Sequence, residues 1–434
     1  MEFLKNKLSY LLIFIFTFLI QLSVILLSPT VLLWDENVYI ANAKYVLGIG
    51  KYFEYFRFPL LWWILIPLVS IFKESFLIYR IFISLIFSIS VIFLYKLFES
   101  IEKNNLKILF FILLIILNGL ILFWGNKVYP DILSVSFLIF SIYFYYKFLE
   151  KNLEKDLILY SLFGILSFLS KYPFGIWLFT SWLFLDKNKK IKATIYFIIF
   201  LIPFFLYNLI NYKNPIFIFL EQFRVVYLWQ IKEPITKFFK NLLMYLGFLS
   251  FSIFLLPKNK FEKSIYLLNL LSFIYFAFFV YMKDPRYLLQ ILIPSVILFY
   301  IKIDSFKTIN FFMYLFLGIS LFYSSFNGIF RNIFEYILCY GETSSIYQSI
   351  IFLRNMNPKT IISNSFWVWY ANYLNIEAYS IYSEDIEYLI KKHSPDFIVY
   401  SENYGILLNL NLEKFEKIFE YKDFCGIDVK IYKV

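Results

Sequence analysis

About eleven apolar segments of near membrane-spanning length, separated by short charged loops, confine this chain to a bundle of helices in a bilayer. They run at roughly 8–28, 76–98, 106–124, 131–149, 156–170, 173–185, 192–211, 238–256, 264–281, 286–301 and 308–326. Hydrophobic residues make up 61% of the sequence, against about 45–50% in soluble domains, so the fold class is a polytopic α-helical membrane protein. The first segment lacks a small-x-small cleavage site and reads as a retained signal-anchor. Pro59 to Phe72 is apolar but only about 14 residues long, which suits an interfacial or re-entrant helix better than a span.

Charge fixes the expected topology. If 59–72 does not span, the loops with Lys5/Lys7, Lys103/Lys107, Lys151/Lys155, Lys187/Lys189/Lys190/Lys192, Lys258/Lys260/Lys263 and Lys302/Lys307 share one side. By the positive-inside rule that side is the cytoplasm. The N-terminus is then cytoplasmic and the C-terminus extracytoplasmic. The net charge of +11 is spread through these loops, which fits contact with anionic membrane lipids. It forms no basic stripe of the kind nucleic acid requires, so no nucleic-acid partner is expected.

Under this topology the outer ends of the helices carry a short set of polar residues. The first external loop, 29–75, has Asp35, Glu36, Lys44, Glu54 and Arg57; Lys127, Asp131 and Lys171 follow. A long loop supplies Glu221, Arg224, Lys232 and Glu233, and Asp284 and Arg286 come last. Charges at a bilayer edge are costly unless they pair, reach water or do chemistry, so these residues are expected to converge on one outward-facing site.

The composition changes near Cys339, dividing the chain into a membrane domain, 1–335, and a small extracytoplasmic α/β domain, 336–434. Strands are expected at 361–364, 377–381, 396–400, 415–421 and 429–432, with helices at 367–374 and from Ser383, a candidate N-cap, to His393. The domain has no GxGxxG, P-loop or nucleophile elbow and reads as a lid, an acceptor-docking module or a structural module. Cys339 and Cys425 are the only cysteines; they could pair in an oxidising compartment, although two separate buried thiols is the simpler reading. With His393 the single histidine, no His/Cys metal site is expected. No cofactor is implied, and a divalent cation is left open.

No DxD occurs in the chain, which argues against a nucleotide-sugar donor held through a metal. A carboxylate beside cations at a membrane surface suits a sugar on a lipid phosphate instead. Arginine forks take the phosphate, a carboxylate deprotonates the attacking hydroxyl, and cations stabilise the departing phosphate.

The stretch Trp34-Asp35-Glu36-Asn37-Val38-Tyr39-Ile40-Ala41, the apolar run from Arg57-Phe58-Pro59 and the Tyr79-Arg80 helix resemble the N-terminal third of C-type membrane glycosyltransferases. The similarity is to the protein O-mannosyltransferase and lipid A aminoarabinose transferase branch. Tyr129-Pro130-Asp131, Leu169-Ser170-Lys171-Tyr172 and Asp284-Pro285-Arg286-Tyr287-Leu288 continue the resemblance in order. Two positions depart from it: Phe58 stands where the family often has proline, and the long external loop offers Gln222 where a histidine is common.

The resemblance implies an inverting transferase with a polyprenyl (dolichyl-type) phosphate sugar donor and a protein, lipid or glycan acceptor on the outer face. Asp35 would be the base, with Asp131 and Glu36 as further catalytic acids. Arg57, Lys171 and Arg286 would bind the donor phosphate, and Glu221 and Arg224 would lie in the acceptor loop.

Each residue also has a local reading. Asp35 could cap the helix that follows, and Arg57 and Lys171 could snorkel to headgroups. Asp131 follows a proline at a natural helix start. Arg286 sits at a helix start that disfavours a cation, so a partner must offset it: Asp284 or a bound phosphate. A transporter or flippase of lipid-linked sugars would use the same cations without chemistry, and a non-catalytic scaffold would need neither.

Overall fold

The structure is a computed structural model that describes residues 2–28, 31–73, 75–229, 232–306, 310–381, 385–406 and 410–434; the side chains of 2–7, 226–229 and 335 are not described. The Lys5 and Lys7 side chains, Lys307 and the candidate cap Ser383 therefore lie outside the described residues.

The helices are α1 Glu2–Leu27, α2 Trp34–Val46, α3 Leu60–Phe72, α4 Phe76–Ile101, α5 Asn105–Ile116, α6 Gly119–Trp124, α7 Pro130–Lys151, α8 Glu154–Ser170, α9 Gly175–Leu183 and α10 Lys187–Tyr212. They continue with α11 Phe217–Trp229, α12 Ile235–Tyr245, α13 Lys260–Ile274, α14 Leu289–Lys302, α15 Asn310–Phe330, α16 Leu338–Tyr340, α17 Ser345–Met356, α18 Trp367–Leu374 and α19 Ile386–His393. Five strands complete the chain: β1 Thr360–Ser363, β2 Glu377–Ser380, β3 Phe397–Tyr400, β4 Glu416–Lys422 and β5 Asp428–Lys433. Two compact units result, one of Met1–Leu26, Phe56–Leu61 and Arg80–Ile329, the other of Leu27–Tyr55, Trp62–Tyr79 and Phe330–Val434.

Among the described residues, seven helical runs are long and apolar enough to cross a membrane: Leu8–Leu27, Phe76–Ile101, Pro130–Lys151, Lys187–Tyr212, Lys260–Phe279, Pro285–Ser305 and Asn310–Met356. The remaining expected segments are shorter or broken. The 106–124 stretch divides into α5 and α6 because Asn118 caps the second helix, accepting from Leu120 N at 3.0 Å while donating to Tyr245 O at 2.9 Å. The 238–256 stretch breaks at Gly247, whose φ is +50°. α3 has 13 residues and rises about 20 Å, short of a span as its length suggested.

Within the first unit the α6 and α15 backbones touch. A Cβ on Gly119 would lie 2.0 Å from the Ser324 carbonyl oxygen, and one on Gly328 would lie 2.5 Å from Gly119 Cα. Gly119→Ala is therefore expected to lower stability by about 1–3 kcal/mol or more, the usual cost of overpacking. Gly318→Ala on α15 meets nothing within 4 Å and should leave the unfolding temperature unchanged or slightly raised. Thermal unfolding of the purified variants checks both. Two lysines at helix ends are buried in ion pairs in this unit: Lys107 in the first turn of α5 with Glu102 and Asp304, and Lys302 in the last turn of α14 with Glu262.

The second unit holds the expected α/β domain, with strand order β2-β1-β3-β5-β4. β2, β1 and β3 run parallel, while β5 is antiparallel to both β3 and β4. Period-two alternation buries Ile361, Val399 and Ile431 on one face, and Ile362 and Ile398 on the other. Helix α19 begins at an Asp385 cap, which accepts from Tyr388 N at 2.9 Å. Cys339 and Cys425 are joined by a disulfide, which replaces the reading of two separate thiols.

The expected division at 335 gave the whole first loop to the membrane domain. The compact units instead group most of that loop with the C-terminal domain, because side chains of α18 hydrogen-bond its backbone at Leu32.

Candidate active site

In the second unit, α2 starts after an extended Leu33. The Glu36 carboxylate reaches back to accept from Leu33 N at 2.9 Å and also accepts from Tyr336 OH at 3.2 Å, and Glu36 is fully buried. That is the third-residue half of a capping box, so Glu36 secures the first turn. Asp35 stands one residue earlier, second in the helix, and the cap position belongs to Leu33 instead. It is 8% exposed and sits in the first turn of the helix, where an acidic side chain is favourable.

Farther along the loop, Asn42 pins Glu54 by a reciprocal pair of bonds to its backbone, at 3.0 and 2.8 Å. Glu54 accepts from Tyr52 OH at 2.6 Å.

In the first unit, α7 opens with Pro130 at its first position and Asp131 at its second. Asp131 Oδ1 forms an ion pair with Lys171 Nζ. Lys171 occupies an extended link between α8 and the 3-10 turn Tyr172–Phe174, and its amine lies 4.5 Å from the centre of the Tyr287 ring. Arg286 approaches the same ring at 5.6 Å, Tyr129 at 5.4 Å and Trp124 at 5.9 Å. One of the two partners expected for Arg286 is present: Asp284 caps its turn, accepting from Arg286 N at 2.9 Å, and lies 3.4 Å from its Nε.

Two cations, each with its own acid, thus gather in an aromatic box. Burial pushes the Lys171 amine below the usual lysine range; Asp131 opposes that shift and Arg286 adds to it. Asp131 is itself buried, and its Oδ2 has no hydrogen-bond partner among the described residues.

Arg57 is half-buried, its guanidinium 5.3 Å from the Phe56 ring centre. Its neighbour Phe58 packs on Tyr172, beside Lys171, at 5.9 Å and on Phe219 of α11 at 6.4 Å. Glu221 and Arg224, also on α11, bond each other at 2.6 Å on a largely exposed face. Lys127 is buried against Phe123, donating to its carbonyl and lying 3.7 Å from its ring centre.

The aromatic members of the box were not singled out from the sequence, although Tyr129 and Tyr287 lie within quoted motifs. Lys283 was also missed: its amine donates to the carbonyls of Phe276, Ala277 and Val280, ending the π-turn Tyr275–Phe279. Lysine at a helix end is the signal that could have found it.

Residues 57–210 match the model of the dolichyl-phosphate-mannose-protein mannosyltransferase family. Among solved structures, the chain is similar to ArnT from Cupriavidus metallidurans in the apo state, with a TM-score of 0.69, 12% identity, and 99% of this chain and 98% of that one covered. The same protein bound to undecaprenyl phosphate gives 0.67 at 10% identity, with 98% of each chain covered.

This chain has the C-type membrane glycosyltransferase fold.

No curated protein sequence matches it. The family match takes in Arg57, Asp131 and Lys171, while Asp35 and Arg286 fall outside it.

Proposed function

We propose that this chain is a glycosyltransferase that moves a sugar from a polyprenyl-phosphate donor to an acceptor outside the cytoplasm, with inversion at the anomeric carbon. The observation that carries the reading is the pairing of Lys171 and Arg286 in one aromatic box beside the buried Asp131. Each cation already has a carboxylate beside it, Asp131 for Lys171 and Asp284 for Arg286, and a lysine and an arginine brought together in this way supply the donors that a phosphate takes. A lipid phosphate suits them, its tail in the bilayer and its headgroup on the arginine and lysine. The family match and the undecaprenyl phosphate bound by the similar ArnT support this donor class.

Asp35 accepts the proton of the acceptor hydroxyl, whose oxygen bonds the anomeric carbon while the carbon–phosphate oxygen bond breaks. The electron pair leaves on the polyprenyl phosphate, where Arg57, Lys171 and Arg286 stabilise the charge. Asp131 Oδ2 takes a hydroxyl of sugar or acceptor. Glu36, expected among the catalytic acids, holds the helix start that carries Asp35. Glu221 and Arg224 belong to the acceptor side. The lysine-rich loops and the Cys339–Cys425 disulfide, a bond that persists in oxidising compartments, support an extracytoplasmic site and C-terminal domain.

The test uses purified protein in liposomes with a panel of radiolabelled polyprenyl-phosphate sugars and membrane extract as acceptor. Loss of sugar from the lipid, abolished in Asp35→Asn, supports the transferase. Movement of intact donor across the bilayer without transfer identifies a flippase instead.

The Lys171 shift adds a pH signature. An amine with a lowered pKa loses its charge sooner as pH rises, so donor-phosphate affinity should weaken below the ordinary lysine range. Lys171→Arg keeps the charge and is expected to move that alkaline loss to higher pH. Binding of polyprenyl phosphate from about pH 7 to about 10 decides this.

A further inference from the structure

Three side chains of α18 end on the segment that presents Asp35. The indole Nε1 of Trp369 donates to Leu32 O at 2.7 Å, and Tyr373 OH accepts from Leu32 N at 2.9 Å. Asn372 Nδ2 donates to Asn37 Oδ1 at 2.8 Å, while Asn37 uses its own Nδ2 on Leu32 O and Leu33 O, each at 3.0 Å. Lys44 then closes the other side of α2, donating to Asn372 O at 3.1 Å. Every one of these bonds involves at least one residue of 2% exposure or less, out of reach of competing water.

Asp35 lies between the two anchored points, three residues after Leu32 and two before Asn37. Glu36 fixes the helix turn but leaves open where that turn stands. The bonds to Leu32 and Asn37 set its position, and they come from a chain segment more than 300 residues away. We propose that α18 is the positioning element of the Asp35 carboxylate, with Asn372 and Trp369 as positioning residues. The C-terminal domain then acts as the scaffold of the reacting loop. This rests on Asp35 being the base.

The physical consequence is a loss in turnover rather than in donor binding. A reacting group displaced by about 1 Å can cost about 100-fold in rate, while the lipid-phosphate cations lie on other elements. A contact that merely held the domain together would lower stability and spare the rate of each folded molecule.

The test compares full-length wild type, Trp369→Phe, Asn372→Ala and Asp35→Asn in nanodiscs. Amide hydrogen exchange of a peptide covering residues 31–45 is read beside kcat and KM for a polyprenyl-phosphate sugar that wild type consumes. Exchange at 31–37 is expected to speed up in Trp369→Phe and Asn372→Ala, with β1 and β3 unaffected. Their kcat should fall about 10- to 100-fold, with KM within about twofold. Unchanged exchange, or raised exchange with unchanged kcat beside a dead Asp35→Asn, overturns the proposal alone. An Asp35→Asn protein that still turns over removes the base reading and the proposal with it.

Discussion

Asp35→Asn is expected to lower kcat by about 10²–10⁴, the range contributed by a positioned general base, with KM for the lipid donor little changed. The asparagine keeps the shape and the helix position but cannot take the acceptor proton. Folding should survive the change, because Glu36 on Leu33 N secures the first turn of α2. The helix-dipole part of the change is only about 0.3–1 kcal/mol.

Glu36→Gln supplies the contrast. It weakens a buried charged acceptor of two hydrogen bonds, so stability and turnover should fall together. Steady-state kinetics and thermal unfolding on the same preparations separate the two acids. An active Asp35→Asn beside a stable, inactive Glu36→Gln would reverse their roles.

The two adjacent acids show where sequence reading stops. Asp35 and Glu36 were visible because charges are rare in so apolar a chain. That Glu36 binds back to its own helix start was not visible, because it depends on Leu33 lying extended and Tyr336 arriving from 300 residues away. The strands from β1 to β5 were legible within about two residues because alternation and turn residues are local signals. Asp131 and Lys171 were each visible at a helix end, but their pairing was not, since periodicity carries no information on contacts 40 residues apart. The break at Asn118 escaped notice for a related reason: its cap closes on Leu120, but its amide bonds Tyr245, far along the chain. The loop's attachment to α18 combines both limits, with ordinary asparagines at Asn37 and Asn372 that acquire meaning only when paired.

Removing one partner of the Asp131–Lys171 pair should produce the largest stability effect. Lys171 is 16% exposed at its side chain and Asp131 2%, so the pair is nearly desolvated. Asp131→Ala leaves a buried ammonium without its carboxylate, a change that costs about 3–5 kcal/mol when the charge must be kept. The lysine has an escape, since burial already lowers its pKa and loss of Asp131 lowers it further. The sign of the pH dependence follows. The unfolded chain holds the Lys171 proton up to about pH 10.4, while the folded variant releases it earlier. Between those two points the unfolded state binds more protons, so Asp131→Ala should gain stability as pH rises.

The double variant Asp131→Asn/Lys171→Met removes both charges and should recover most of the lost stability without recovering turnover. Thermal unfolding at about pH 7 and about pH 9.5, within the span where the two states differ in protonation, together with donor consumption, tests this. A double variant no more stable than Asp131→Ala would mean that the charge imbalance is not the source of the loss. A double variant that regains turnover would mean that the site needs neither charge, and the donor phosphate would then have to rest on Arg57 and Arg286 alone.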